Sequence, residues 1–256
     1  MKRSLTILFL LVFIFSTAVD AKRRVRSRSH AKAPAAYCAG VKVITDCADE
    51  GCGPSGDPEL NKRKNIRSDG QQPIMQTIPW MKELADPVNF TEQNKNRDEL
   101  KQLGEGQKIT AVAWALDVRA EGQETCNCGL TAEKDTDNHI VLVDPRVKNP
   151  TLKKDEIHSI TAEFTPRVRL DHANFTREKL APLIDPKWKG GKQKPQGKLL
   201  VRVTGLLMFD SQHFLSNPLT RENNWEIHPI LKMEYCPDGK TCRGESNENW
   251  KDIDTQ

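Results

Sequence analysis

Seven side chains in the second half of the chain are of types that bind metals or move protons: Asp137, His139, Glu163, Asp210, His213, Glu226 and His228. Imidazole and carboxylate together suit a divalent transition ion, with His139, His213 and His228 as the nitrogen ligands. A carboxylate beside a metal-bound water would be a general base, and the reaction would be a hydrolysis, for instance of a phosphodiester. The same residues have a plainer use. Asp137 with His139, and Glu226 with His228, stand two apart and so share one face of an extended chain. Such pairs pin strand ends by hydrogen bonds without any ligand, and that structural use is the first reading.

The elements that must position these residues are strands. Five runs rich in branched and aromatic residues span 109–118, 139–143, 160–168, 199–209 and 225–235, separated by turn-forming stretches. A segment around 174–184 has helical character and falls between the third and fourth runs. Three strands, a helical connection and two more strands is the order of a five-stranded OB-like barrel. Gly205 inside the fourth run permits the tight coiling that a small closed barrel needs. In the first run Val112, Trp114, Leu116 and Val118 make a bulky face, expected inside, and Ala111, Ala113, Ala115 and Asp117 a small one. In the third and fourth runs Ile160, Ala162, Phe164, Val201, Val203, Leu207 and Phe209 go inward, and in the fifth Trp225, Ile227 and Leu231. His139, Glu163, Asp210, Glu226 and His228 all fall on the opposite parity, outside the barrel, and Asp137 and His213 sit just past strand ends.

The series Asp135-x-Asp137-x-His139-x-x-Leu142-x-Asp144-Pro145, Phe209-Asp210-x-x-His213 and Trp225-Glu226-Ile227-His228-Pro229 resembles a motif set found in exported bacterial proteins without an assigned activity. The resemblance covers roughly residues 108–236. It implies the same barrel-like domain and brings no catalytic role to any residue.

The front of the chain sets the compartment. Residues 1–21 join Met1-Lys2-Arg3 to an apolar run and a Val19-x-Ala21 ending, the pattern of a signal peptide. The run is about 15 residues, short of the roughly 20 that cross a bilayer, so no transmembrane anchor is expected. Residues 22–36 form a basic arm, with six Lys/Arg and no acid between Lys22 and Lys32. The net charge of +4 comes from there: residues 33–256 hold 31 basic and 34 acidic side chains. A cysteine-rich extension with a short helix over 91–103 occupies 37–104, the barrel 105–236, and a tail 237–256.

In an exported, periplasmic or extracellular chain, seven cysteines default to disulfides. Cys236 and Cys242 bracket a Pro-Asp-Gly turn and can bond locally. At least one of Cys126 and Cys128 should tie back to the group Cys38, Cys47 and Cys52, and the odd thiol is free, intermolecular or a ligand. No paired C-x-x-C zinc pattern, nucleophile elbow, Walker loop or His-Glu-x-x-His occurs.

These features describe an exported binding or structural module of the cell envelope, not an enzyme, with metal-dependent hydrolysis as the alternative. No cofactor is required, and a divalent transition metal is the one the residues would suit. Partners are an anionic envelope polymer, a glycan or a protein. Nucleic acid is disfavoured because the body is acidic and only Trp188, with Lys187 and Lys189, offers a stacking ring in positive charge.

Overall fold

The computed structural model describes residues 38–53, 56–67, 70–90, 96–213 and 220–255. The signal segment 1–21 and the arm 22–36 lie outside the described residues, as do residues 91–95 of the expected helix. In chain order the elements that matter are α1 (Pro58–Lys64), β1 (Ile74–Thr77), α2 (Ile78–Lys82), α3 (Asp98–Gln102), β2 (Lys108–Ala120) and β3 (Asn138–Val143). Then come α4 (Leu152–Asp155), β4 (Ile160–Phe164), α5 (Pro166–Arg169), α6 (Arg177–Ile184), β5 (Leu199–Phe209), β6 (Trp225–Tyr235) and β7 (Lys251–Asp252).

Five strands close into a mixed barrel. β2 pairs with β3, β3 with β4, β5 with β6, and β5 returns to β2, all antiparallel. β4 and β6 complete the ring in parallel, Thr161 opposite Glu226 and Ala162 opposite Ile227. β1 lies parallel along the free edge of β2's first half. The helical connection between the third and fourth barrel strands is α5 followed by α6, and Leu180, Ala181 and Ile184 of α6 pack into the main core.

The interior is filled by Ile140, Ile160, Ala162, Phe164, Val201, Val203, Leu207, Phe209, Trp225 and Ile227. Phe209 and Trp225 meet edge to face with centroids 5.2 Å apart. Gly205 is needed where β5 and β6 cross closely: a Cβ there would stand 2.4 Å from the Pro229 carbonyl oxygen. No side chain fits.

Four expectations about these elements are corrected. The small face of β2, Ala111, Ala113 and Ala115, points inward, and Val112 and Trp114 pack outside against Leu200 and the Cys236–Cys242 bridge. Aromatic rings from the other strands already occupy the interior, so alanines are what β2 can contribute there. A bulge between Ala115 and Asp117 then shifts the phase and brings Val118 into the core. In β6, register shifts opposite Gly205 put Ile230 and Met233 inside in place of Leu231. The third run stops at Phe164, because the Thr165 side chain accepts the Val168 N–H and caps α5 with Pro166 in its first turn. Part of the expected tail is structure: β7 pairs with β6, and Ile253 is buried in the core.

Three disulfides join Cys38 to Cys52, Cys47 to Cys128, and Cys236 to Cys242; Cys126 is a buried free thiol. The second bridge ties the N-terminal segment to the β2–β3 connection. Around it Cys52 N–H donates to the Thr125 carbonyl at 3.0 Å, and Asn65 Nδ2 donates to the carbonyls of Asp49 and Cys126 at 2.9 and 3.1 Å. Arg167 Nη2 donates to the carbonyls of Cys47 and Ala48 at 2.6 and 2.7 Å. Gly51 (φ +63°) permits the close docking, since a Cβ would reach within 2.1 Å of the Thr125 oxygen. The segment behaves as a cover over one wall of the barrel.

Candidate functional site

Under that cover lies a buried cluster of polar side chains, a chamber only in the sense that the cover closes it off. Alternation along β3, β4 and β6 projects His139, Glu163, Glu226 and His228 away from the aliphatic interior, onto a wall that the cover seals. Asp137 enters from the turn before β3, Asp210 from the end of β5. The expectation of an outward surface is therefore corrected: Asp137, Glu226 and His228 are fully buried, and Glu163 and Asp210 are nearly so. Outward of the barrel is not outward of the protein.

Glu163 is the hub. One of its oxygens pairs with His139 Nε2, and its Oε2 stands 3.1 Å from His228 Nδ1. His139 Nδ1 meets Glu121 Oε1 at 2.8 Å. His228 Nδ1 hydrogen-bonds Glu226 Oε1 at 3.1 Å, and its Nε2 faces Asp137 Oδ2 at 3.6 Å. Asp137 Oδ1 accepts from Asn127 Nδ2 at 3.0 Å. Arg221 joins the remaining pair, donating to Glu226 Oε2 at 3.0 Å and to Asp210 Oδ2 at 2.5 Å, and His213 Nδ1 bonds the same Asp210 oxygen at 2.6 Å.

His139 and His228 thus meet at Glu163, whereas His213, among the described residues, connects through Asp210, Arg221 and Glu226. Among the described residues no group of three ligating side chains within 4.8 Å of one another contains His213. The groups that occur are Asp137–Glu163–His228, His139–Glu163–Glu226 and Glu124–Cys126–Asp137, besides the Cys236–Cys242 bridge with Asp238.

Several participants carry no periodic signal in the sequence. Lys64, at the end of α1, is buried and pairs with Glu124 Oε2 at 3.3 Å. That oxygen also lies 2.9 Å from the Cys126 thiol. Arg221, Glu121, Glu124 and Asn127 come from connections between strands, where alternation says nothing about direction. Trp188, Lys187 and Lys189 lie elsewhere, after α6. Lys187 and Lys189 are exposed. The Trp188 ring is already covered by the Arg177 guanidinium at 5.1 Å, and its N–H donates to the Gln193 carbonyl.

Burial and mutual charge sort the protons. Burial pushes Glu226 up to about 7, reinforced by Asp210 and opposed by Arg221. Burial, then Glu124 and Glu163, raise Asp137 well above the carboxylate range. Burial would raise Asp210 too, but the His213 hydrogen bond and the charges of Arg221 and Lys64 hold it well below its ordinary value. Glu124 likewise falls to about 2, because Lys64 and the Cys126 hydrogen bond outweigh its burial. Desolvation brings His228 down to about 4 and leaves it neutral, while His139 rises, Glu163 and Glu121 overcoming the same burial penalty. Burial raises the Cys126 thiol, so no thiolate nucleophile forms there.

These shifts predict a stability optimum in mildly acidic solution for chelator-treated protein. Asp210 and Glu124 have depressed folded values, so their contribution is present above pH about 4 to 5 and is lost as pH falls below it. His228, neutral when folded, adds to that acid loss. Glu226 opposes His228 between their values, and the two nearly cancel from about pH 4.5 to 6.5. His139 is raised, so its contribution is complete below about 6.5 and disappears at higher pH. Urea midpoints at pH 3.5, 5.5 and 8.5 should peak at the middle value; a midpoint that rises steadily to 8.5 contradicts the assignment.

Beside the chamber the surface opens into a pocket of about 130 Å³ on the β3–β4 face. Arg119, His139, Ser159, Thr161, His213 and Arg221 line it, so His139, His213 and Arg221 belong both to the pocket and to the buried polar cluster. No protein-family model, curated protein or solved structure matches the chain.

Proposed function

We propose that the protein is an exported β-barrel binding module of the cell envelope that seats an anionic group of a polymer, phosphate or carboxylate, in the β3–β4 pocket. The carrying observation is the convergence of Arg119, His213 and Arg221 with the hydroxyl-bearing Ser159 and Thr161 around one small opening. His213 is raised above its ordinary value by its bond to Asp210, and as an imidazolium it keeps Nε2–H available, since among the described residues only its Nδ1 is engaged. Arginine carries several donors in a fixed fork that matches oxyanions; Arg119 spends Nη2 on Glu156, and Arg221, held by Glu226 and Asp210, contributes charge to the pocket wall. The pairing order of the barrel is read as OB-type, and such barrels take ligands across this face. Three disulfides suit the oxidising compartment implied by the expected signal segment. The motif likeness to exported bacterial proteins agrees.

Hydrolysis is the second reading, supported by the shared wall between pocket and chamber. It is disfavoured because Glu226 and His228, the groups able to activate water, are 0 % exposed and out of a substrate's reach.

The test is calorimetric titration of oxidised full-length protein with polyphosphate and polygalacturonate, with neutral dextran as control, at two salt concentrations. Salt-sensitive binding of one anionic polymer is expected, weakened about fivefold by Arg119→Met or His213→Gln, as for loss of one partly solvated charge contact. Absence of binding to both polymers, or binding that ignores both substitutions, removes the proposal.

A further inference from the structure

We propose that Asp137, Glu163 and His228 form a closed site for one divalent first-row transition ion, distinct from the pocket. One ligand atom from each lies within 4.8 Å of the other two. Proximity of acids alone would carry nothing. What points to a ligand is that each of these buried side chains keeps an atom without a hydrogen-bond partner among the described residues: Asp137 Oδ2, Glu163 Oε2, which approaches His228 Nδ1 at 3.1 Å without making a hydrogen bond, and His228 Nε2. Their side chains are 1 %, 2 % and 0 % exposed, so water does not make up the deficit at the surface. Buried polar atoms left unpaired are costly, and a cation is one thing that satisfies several acceptors at once.

The other atom of each ligand is already held. Asn127 donates to Asp137 Oδ1, His139 pairs with Glu163 Oε1, and Glu226 Oε1 takes the His228 Nδ1–H. The last bond fixes the tautomer, so Nε2 presents a lone pair, and it presents it to a carboxylate oxygen 3.6 Å away. That separation is too long for a hydrogen bond. It is close to the roughly 3.4 Å edge of a tetrahedron built on bonds of about 2.1 Å. A carboxylate behind a histidine, with amide and imidazole behind the two acids, is the outer shell that orients metal ligands. Two oxygens and one imidazole nitrogen suit Zn²⁺ or Mn²⁺. Complete burial under the disulfide-tied cover describes a structural site, loaded as the protein folds.

The experiment uses tag-free, full-length, oxidised protein, stripped in denaturant with EDTA and refolded with Zn²⁺ or Mn²⁺. Elemental analysis follows gel filtration in weak chelator, and thermal midpoints are read in parallel. About one ion per chain and a raised midpoint are expected for the wild type, and loss of stoichiometric ion for Asp137→Asn and His228→Gln. Asn127→Ala, which removes only an orienting contact, should bind about 10–100-fold more weakly. Arg119→Met, in the pocket, should load normally, so failure here is separable from failure of anion binding. A wild type that refolds equally well with no retained ion and an unmoved midpoint overturns the proposal. So does Asn127→Ala with unchanged affinity, which decides the matter even where the ligand variants do not fold.

Discussion

Replacing Cys47 and Cys128 together by serine is expected to lower stability by about 4 kcal/mol, the largest loss from any of the three bridges. The closed loop spans 81 residues, against 14 for Cys38–Cys52 and 6 for Cys236–Cys242. On chain entropy alone those two shorter bridges contribute about 3 and about 2 kcal/mol. The long bridge does more than restrict the unfolded chain. It fixes the segment that supplies Lys64 to Glu124 and stands between solvent and the buried carboxylates. Urea denaturation of the three double-serine variants beside the oxidised wild type gives the ranking. A long-bridge variant as stable as the Cys236/Cys242 variant would mean that the cover stays docked on its polar contacts alone.

Arg221→Met is expected to cost about 3–5 kcal/mol, because it takes one guanidinium away from two buried carboxylates at once. Asp210 retains His213 after the change, but Glu226 Oε2 loses the guanidinium that faces it and sits in a fully desolvated position. Adding Glu226→Gln to Arg221→Met should therefore recover part of the loss, since the uncompensated charge has gone. The comparison is a double-mutant cycle, read by chemical denaturation at pH 7. Additive losses in the double variant would show that Arg221 and Glu226 do not depend on one another.

Much of this arrangement is legible in the residue pattern. Alternation alone separates Phe164, Val203 and Trp225 from His139, Glu163, Glu226 and His228, because each strand has two faces and only one can fill a barrel. Where alternation misleads, the backbone departs from a strict two-residue repeat. The bulge after Ala115 in β2 and the register shifts around Gly205 each move later side chains to the other face. The direction of Trp114 is lost for another reason: which face of β2 is interior depends on how much volume the other strands already supply. The cover is the part the pattern cannot announce. Its contacts run through backbone carbonyls, asparagines, one lysine and two arginines, groups whose spacing follows no period, so the acids read as surface when they are enclosed.

That enclosure reverses the order of manufacture. Residues 38–67 leave the ribosome before any strand of the barrel, yet the wall they seal is completed only by Glu226 and His228, some 160 positions later. Lys64 can meet Glu124 earlier, but until β6 is made the acids beneath it stay open to water. The segment cannot close over the acids before β6 stands beneath it, and whatever solvent or solute lies on them at that point is enclosed with them.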